Sequence, residues 1–266
     1  MLTKFTALAM GVLLSVSAMA ADMATADMAT LTRQAQSGDA AAQFDLAYEY
    51  YQQGNHAKAF EWFTKAAHQG DAQAQYNLGV MYAQGLGVRQ DYHKAFEWFT
   101  KAAGQGHAKA QFNLGVMYHE GEGVRQDYKK AVEWYAKAAH QGFAEAQYNL
   151  GQMYRQGHGV HQDYYKAVEW YTKAAHQGDA AAQSNLGVMY DKGHGVRQDY
   201  QKAIEWYTKS ANQGYAEAQF NLGAMYYNGH GVRQNKSTAK RYFGQACDHG
   251  DQLGCDHYRR LNQQGY

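Results

Sequence analysis

Three groups of residues have types and spacings that could carry chemistry. Ser237-Thr238-Ala239-Lys240 fits the S-x-x-K box of a serine nucleophile. Among 13 histidines, His158 and His161 share one loop, and His194 and His230 stand at equivalent points further on, imidazoles of the kind that ligate zinc. Cys247 and Cys255, the chain's two cysteines, could pair or could sense redox state.

Their surroundings argue against the first two. The S-D-N and K-T-G boxes that complete the serine site are absent, and Ala239 aligns with Ala167 and Ala203 at the start of a recurring helix. Equivalent points in stacked helical repeats lie about 8 to 10 Å apart, whereas zinc holds its ligands at about 2.0 to 2.1 Å, so histidines of successive copies cannot share an ion. His158 and His161 alone are two ligands, too few for a structural site. Neither a phosphate-cradling Gly-x-x-x-x-Gly-Lys nor a dinucleotide fingerprint occurs. The sequence is therefore read as carrying no catalytic residue, no metal and no cofactor.

What positions every one of these groups is a segment of 36 residues that recurs from Ala74, Ala110, Ala146, Ala182 and Ala218. Such a period means one supersecondary unit stacked on copies of itself. In the copy at 74–109, Ala74, Leu78, Met81 and Tyr82 form an apolar helical stripe. Gly85 and Gly87 stop this helix A, Asp91 caps a helix B, Ala95, Trp98, Phe99 and Ala102 repeat the stripe, and Gly106 closes it. Gly79 and Ala95 recur where two backbones are expected to approach closely. Glu61/Lys65, Glu97/Lys101, Glu133/Lys137, Glu169/Lys173 and Glu205/Lys209 are i, i+4 pairs that mark the solvated side of helix B. The tryptophans Trp62, Trp98, Trp134, Trp170 and Trp206 share one helix-B position, which points to packing rather than ligand stacking. Units are expected near 42–73, 74–109, 110–145, 146–181, 182–217 and 218–253, with a partial helix at 31–37 and a closing helix at 254–263. The first unit lacks four residues of the Gly-x-Gly-Val loop.

Residues 1–20 read differently. Lys4, the apolar stretch from Phe5 to Val16 and Ala18-Met19-Ala20 have the order of a cleavable secretory signal, with cleavage before Ala21. The duplicated Ala-Asp-Met-Ala-Thr at 21–30 reads as a flexible leader, and 31–266 as the repeat array. The mature chain carries 24 basic and 24 acidic residues, so neither nucleic acid nor an anionic membrane is electrostatically favoured. Export to the periplasm or the medium, with no membrane anchor and as a monomer, is the expectation.

The pattern A-x-x-x-L-G-x-M-Y-x-x-G-x-G-V-x-x-D-Y-x-K-A-x-E-W resembles the Sel1-like repeat, a relative of the tetratricopeptide repeat. The resemblance implies an all-α fold, a right-handed α-solenoid of about six stacked antiparallel helix pairs, whose helix-A side lines a concave surface that binds a protein or peptide. Secreted bacterial members act in envelope, host-interaction or signalling settings. The segment from Ala246 to Cys255 is similar to the Helicobacter cysteine-rich proteins, which implies a bridge between Cys247 and Cys255, as an exported chain with two cysteines also favours. Some of those relatives carry a β-lactamase label, which leaves a weak penicillin-binding or β-lactamase-type hydrolase as the alternative function.

On helix A, the face away from Leu78 carries an asparagine in five copies: Asn77, Asn113, Asn149, Asn185 and Asn221. Amides of this kind suit the backbone of an extended peptide; each could equally satisfy a loop carbonyl of its own repeat. Selectivity is expected where copies differ, at the residue after the tyrosine: Tyr51, Ala83, His119, Arg155, Asp191 and Tyr227.

Overall fold

The computed structural model describes residues 28–266, so the expected signal at 1–20 and most of the expected leader lie outside the described residues. Helices account for every regular element among them, and they fall into two compact units, the first ending at Gln141 and the second running from Gly142 to Tyr266. In the first unit α1 (Met28–Gln36) precedes three helix pairs: α2 (Ala40–Gln52) with α3 (His56–His68), α4 (Ala72–Gln84) with α5 (Tyr92–Gly104), and α6 (Ala108–Glu120) with α7 (Tyr128–His140). The second unit holds α8 (Ala144–Gln156) with α9 (Tyr164–His176), α10 (Ala180–Lys192) with α11 (Tyr200–Asn212), α12 (Ala216–Asn228) with α13 (Lys236–Asp248), and then α14 (Gln252–Gln263). Within each unit every pair packs on the next, the arrangement of an α-solenoid. The first helix begins at Met28, three residues inside the segment expected to be a flexible leader.

The local rules hold in detail. Asp91 caps α5, its carboxylate accepting from the amide of Lys94 at 3.0 Å. Gly85 ends α4 in the left-handed region at φ 70°, where a side chain would be strained. Three residues join α2 to α3 where seven join α4 to α5, the expected four-residue deletion. Ala74, Leu78 and Met81 of α4 are buried, as are Ala95, Trp98, Phe99 and Ala102 of α5.

One expectation about packing is refined and another corrected. Gly79 lies under the ring of Phe99, and Gly115, Gly151, Gly187 and Gly223 lie likewise under Tyr135, Tyr171, Tyr207 and Phe243, while a Cβ on Gly151 would also stand 3.3 Å from the backbone oxygen of Ala167, the equivalent of Ala95. The paired charges of helix B are also only partly paired. Glu61–Lys65 and Glu169–Lys173 make contacts at 2.9 and 2.7 Å. All five lysines instead share another partner: the ammoniums of Lys65, Lys101, Lys137, Lys173 and Lys209 stand 3.8, 3.9, 3.8, 4.0 and 4.1 Å from the ring centres of the tryptophans three residues before them. An exposed ion pair contributes little, whereas a lysine laid on indole gains a cation–π contact and covers the ring with its stem.

Candidate functional site

The end of helix A is built the same way in each full-length copy. A glycine in the left-handed region stops the helix, and the loop returns a glutamine side chain to the carbonyl of the varied residue. In the first unit Gln90 donates to the carbonyl of Ala83 at 2.8 Å and Gln126 to that of His119 at 2.7 Å. In the second, Gln162 donates to Arg155 at 2.8 Å, Gln198 to Asp191 at 2.7 Å and Gln234 to Tyr227 at 2.7 Å. The backbone of this residue is therefore fixed in five copies while its side chain is free to differ.

The side chains of His119, Arg155, Asp191 and Tyr227 are half-buried, and Ala83 is buried. His119 contacts the Glu120 carboxylate through Nδ1 at 2.7 Å and packs on the Tyr128 ring. Arg155 donates from Nε to Oε1 of Gln152 at 2.9 Å. Asp191 lies 3.2 Å from the Lys192 ammonium, and the Lys236 ammonium stands 5.9 Å from the centre of the Tyr227 ring.

The asparagines are less uniform than their sequence position suggests. Asn77, Asn113 and Asn185 are buried, whereas Asn149 and Asn221 are half-buried. Asn185 donates to the carbonyl of Ala181, one turn back in its own helix and not in a loop. Asn77 accepts from Gln73 at 3.3 Å, which leaves its Nδ2 buried without a partner; Oδ1 of Asn113 is buried in the same condition.

Two features of the helix-A side escape a reading of the sequence. The first is a glutamine ladder between repeats. Gln75 donates to the carbonyl of Ala67 at 3.1 Å and accepts from Gln105 at 2.8 Å, and Gln105 donates also to the carbonyl of Gly70 at 2.9 Å. The contact recurs at Gln69–Gln43 and Gln141–Gln111 in the first unit and at Gln177–Gln147 and Gln213–Gln183 in the second. His249 takes the glutamine's place against Gln219. The second is the residue that precedes helix A, which is Asp71, His107, Phe143, Asp179 or Tyr215 and varies as much as the stripe at the other end. Its variation was the available signal.

His107 shows what this position does. Its Nδ1 accepts from the amide of Ala110, so the proton resides on Nε2 and is donated to Gln73 at 3.0 Å, whose own amide reaches Asn77. Burial, then the nearby Lys109, pushes its pKa down to about 4. At Tyr215 the residue is larger, and within the same repeat Ser184 replaces the aromatic found at Tyr76, Phe112, Tyr148 and Phe220.

A family profile for the Sel1 repeat matches residues 40–71, 72–107, 108–143, 144–179, 180–215 and 216–251, frames that begin two residues before those read from the sequence. The chain belongs to the Sel1 repeat family. It is similar to the crystal structure of c5321, a protective antigen of uropathogenic Escherichia coli strains, with 41% identity, a TM-score of 0.85 and 90% of this chain covered. It spans 52%, about half, of that protein's length. A Sel1 repeat protein from Oxalobacter formigenes is 34% identical, with a TM-score of 0.75, over 78% of this chain and 86% of the other. Helicobacter pylori cysteine rich protein B is 26% identical over 49% of this chain and 94% of its own, with a TM-score of 0.39. Comparison with curated proteins gave no match.

Sel1 repeat proteins are interaction scaffolds and generally not enzymes. In this Sel1 chain Lys240, His194, His230 and the two cysteines each have a structural partner. Lys240 donates to Oδ1 of Asn262 at 2.7 Å and to the carbonyl of Tyr266, tying α13 to the C-terminus, while Ser237 is exposed. His194 and His230 stack on Tyr164 and Tyr200 of the preceding repeat, with ring centres 4.6 and 5.0 Å apart. Among the described residues no three metal-ligating side chains gather. Cys247 and Cys255 stand at disulfide distance with their Cα atoms 4.5 Å apart. No described helix is long and apolar enough to cross a membrane.

Proposed function

We propose that the chain is an exported Sel1 scaffold that binds a segment of a partner protein on the concave, helix-A side of its repeats, as an adaptor in the envelope, in host interaction or in signalling. The observation that carries this is the loop glutamine. By holding the carbonyl of the varied residue in copy after copy, it presents His119, Arg155, Asp191 and Tyr227 from equivalent, rigid positions. Invariant backbone with varied side chains is the arrangement a sequence-selective surface needs. Export by the signal at 1–20, and hence a periplasmic or secreted chain, is supported by the Cys247/Cys255 pair, which an oxidising compartment would keep bridged. The kinship with a protective antigen supports the same setting. No catalytic role is proposed for Ser237. Pull-down from the native envelope or medium with Arg155→Glu and Asp191→Lys should lose partners that the unmutated chain captures; an unchanged partner profile would remove the stripe from the account.

A further inference from the structure

We infer that Arg155 anchors a carboxylate of the bound segment and that Gln152 is the residue that positions it, an inference that rests on the helix-A reading above. Gln152 is the break in the period: the other copies carry Val80, Val116, Val188 or Ala224 at its place. Its amide makes three hydrogen bonds. Oε1 accepts from Nε of Arg155 and from the Tyr171 hydroxyl, both at 2.9 Å, and Nε2 donates to the Tyr148 hydroxyl at 2.7 Å. Arg155 Nε can only donate, so the amide cannot turn over without losing that bond.

Arg155 is thus held at both ends, its carbonyl by Gln162 and its Nε by Gln152. Among the described residues it makes no ion pair. A guanidinium fixed through Nε keeps its outer N–H groups as a planar fork, the geometry that takes a carboxylate in two parallel bonds. Tyr148, which accepts from Gln152, keeps its own proton to donate beside it. Burial raises the pKa of Tyr148 and of Tyr171, so both remain phenols. The groups facing this space also include the acids Asp179 and Glu217. The field of Glu217 reaches Tyr148, Tyr171, Tyr207 and Tyr215, and that of Arg155 reaches Glu217 without forming a pair. An incoming carboxylate competes with Glu217 for the arginine, and a lysine-bearing segment would choose the acids instead.

The test uses the full chain against an array of extended octapeptides that differ at one central residue, Glu, Gln or Lys, each with a free and an amidated C-terminus. The inference predicts Glu-centred or free-C-terminus peptides bound about tenfold more tightly than their Gln-centred or amidated counterparts, and that preference lost in Arg155→Ala. Sensitivity to amidation assigns the carboxylate to the chain end, and insensitivity assigns it to a side chain. Gln152→Val, which installs the residue of the other copies, should reduce the ratio of acidic to neutral peptide affinity, and because it also strips the buried Tyr171 hydroxyl of its acceptor the comparison is made well below the variant's own melting temperature. Glu217→Gln should strengthen it. Neutral peptides bound as tightly as acidic ones, Lys-centred peptides preferred, or a preference that survives Arg155→Ala would overturn the inference and leave the helix-A reading standing. Binding of no octapeptide would count against both.

Discussion

A Cβ placed on Gly79 would stand 2.6 Å from Cε1 of Phe99, closer than any real side-chain contact. The ring belongs to the buried face of helix B and cannot retreat without opening the repeat. Gly79→Ala should therefore destabilise by about 1 to 3 kcal/mol despite the better helix propensity of alanine. Gly104, at the exposed end of α5, would have nothing within 4 Å of an added methyl, and Gly104→Ala should be neutral or stabilise by up to about 1 kcal/mol. Urea melts of the two variants, run side by side, separate propensity from packing.

The glutamine ladder predicts a cost of a different origin. Gln111→Ala deletes the donor to Ala103 at 3.2 Å and the acceptor for Gln141 at 2.7 Å, leaving a buried carbonyl without its bond. The expected loss is about 1 to 3 kcal/mol, read from denaturant melts. Glu133→Ala, on the exposed side of α7, should change stability by less than about 0.5 kcal/mol.

How far the sequence reached follows from which forces are local. Helix ends were legible because Asp91 and Gly85 act within a few residues of themselves, and the apolar stripes were legible because Leu78 and Phe99 are buried for their hydrophobicity alone. The ladder was not, because Gln105 is recognised by Gln75 on the other helix of its own repeat and by Gly70 of the preceding one, contacts 30 and 35 residues away. The same limit applies to Lys101, whose i, i+4 glutamate is visible in the sequence but whose position over Trp98 depends on a choice between two neighbours. Gln152 was visible as a departure from valine; that it gathers Tyr148, Tyr171 and Arg155 depends on how helix B folds back against helix A.

Bridging Cys247 to Cys255 closes a short loop between α13 and α14, and in the chain-entropy model contributes about 2 to 3 kcal/mol to the C-terminal end. Reduction should lower the protection of α14 amides in hydrogen exchange and leave those of α4 to α7 unchanged. Ellman titration of the unreduced mature chain should find no free thiol; two would show that the pair is not bridged.

His107 makes stability depend on acid. Its folded-state pKa lies near 4, below the ordinary 6.5, so the neutral ring is favoured by folding. The contribution is present above pH 6.5 and is lost as pH falls toward 4, where the unfolded chain binds a proton that the folded chain resists. The melting temperature should fall across that window, and His107→Asn, which keeps a capping acceptor but cannot titrate there, should show a shallower fall. Identical slopes would mean that this ring stays out of the acid response.

The helix-A surface is tested most directly by photo-crosslinking in the native compartment. A benzophenone amino acid placed at His119, Asp191 or Tyr227 samples the varied stripe, and one placed at Glu133 or Glu205 samples the exposed side of helix B. The account predicts that the same partner is captured from the first three positions and not from the last two. Capture from Glu133 or Glu205, with none from the stripe, would contradict it.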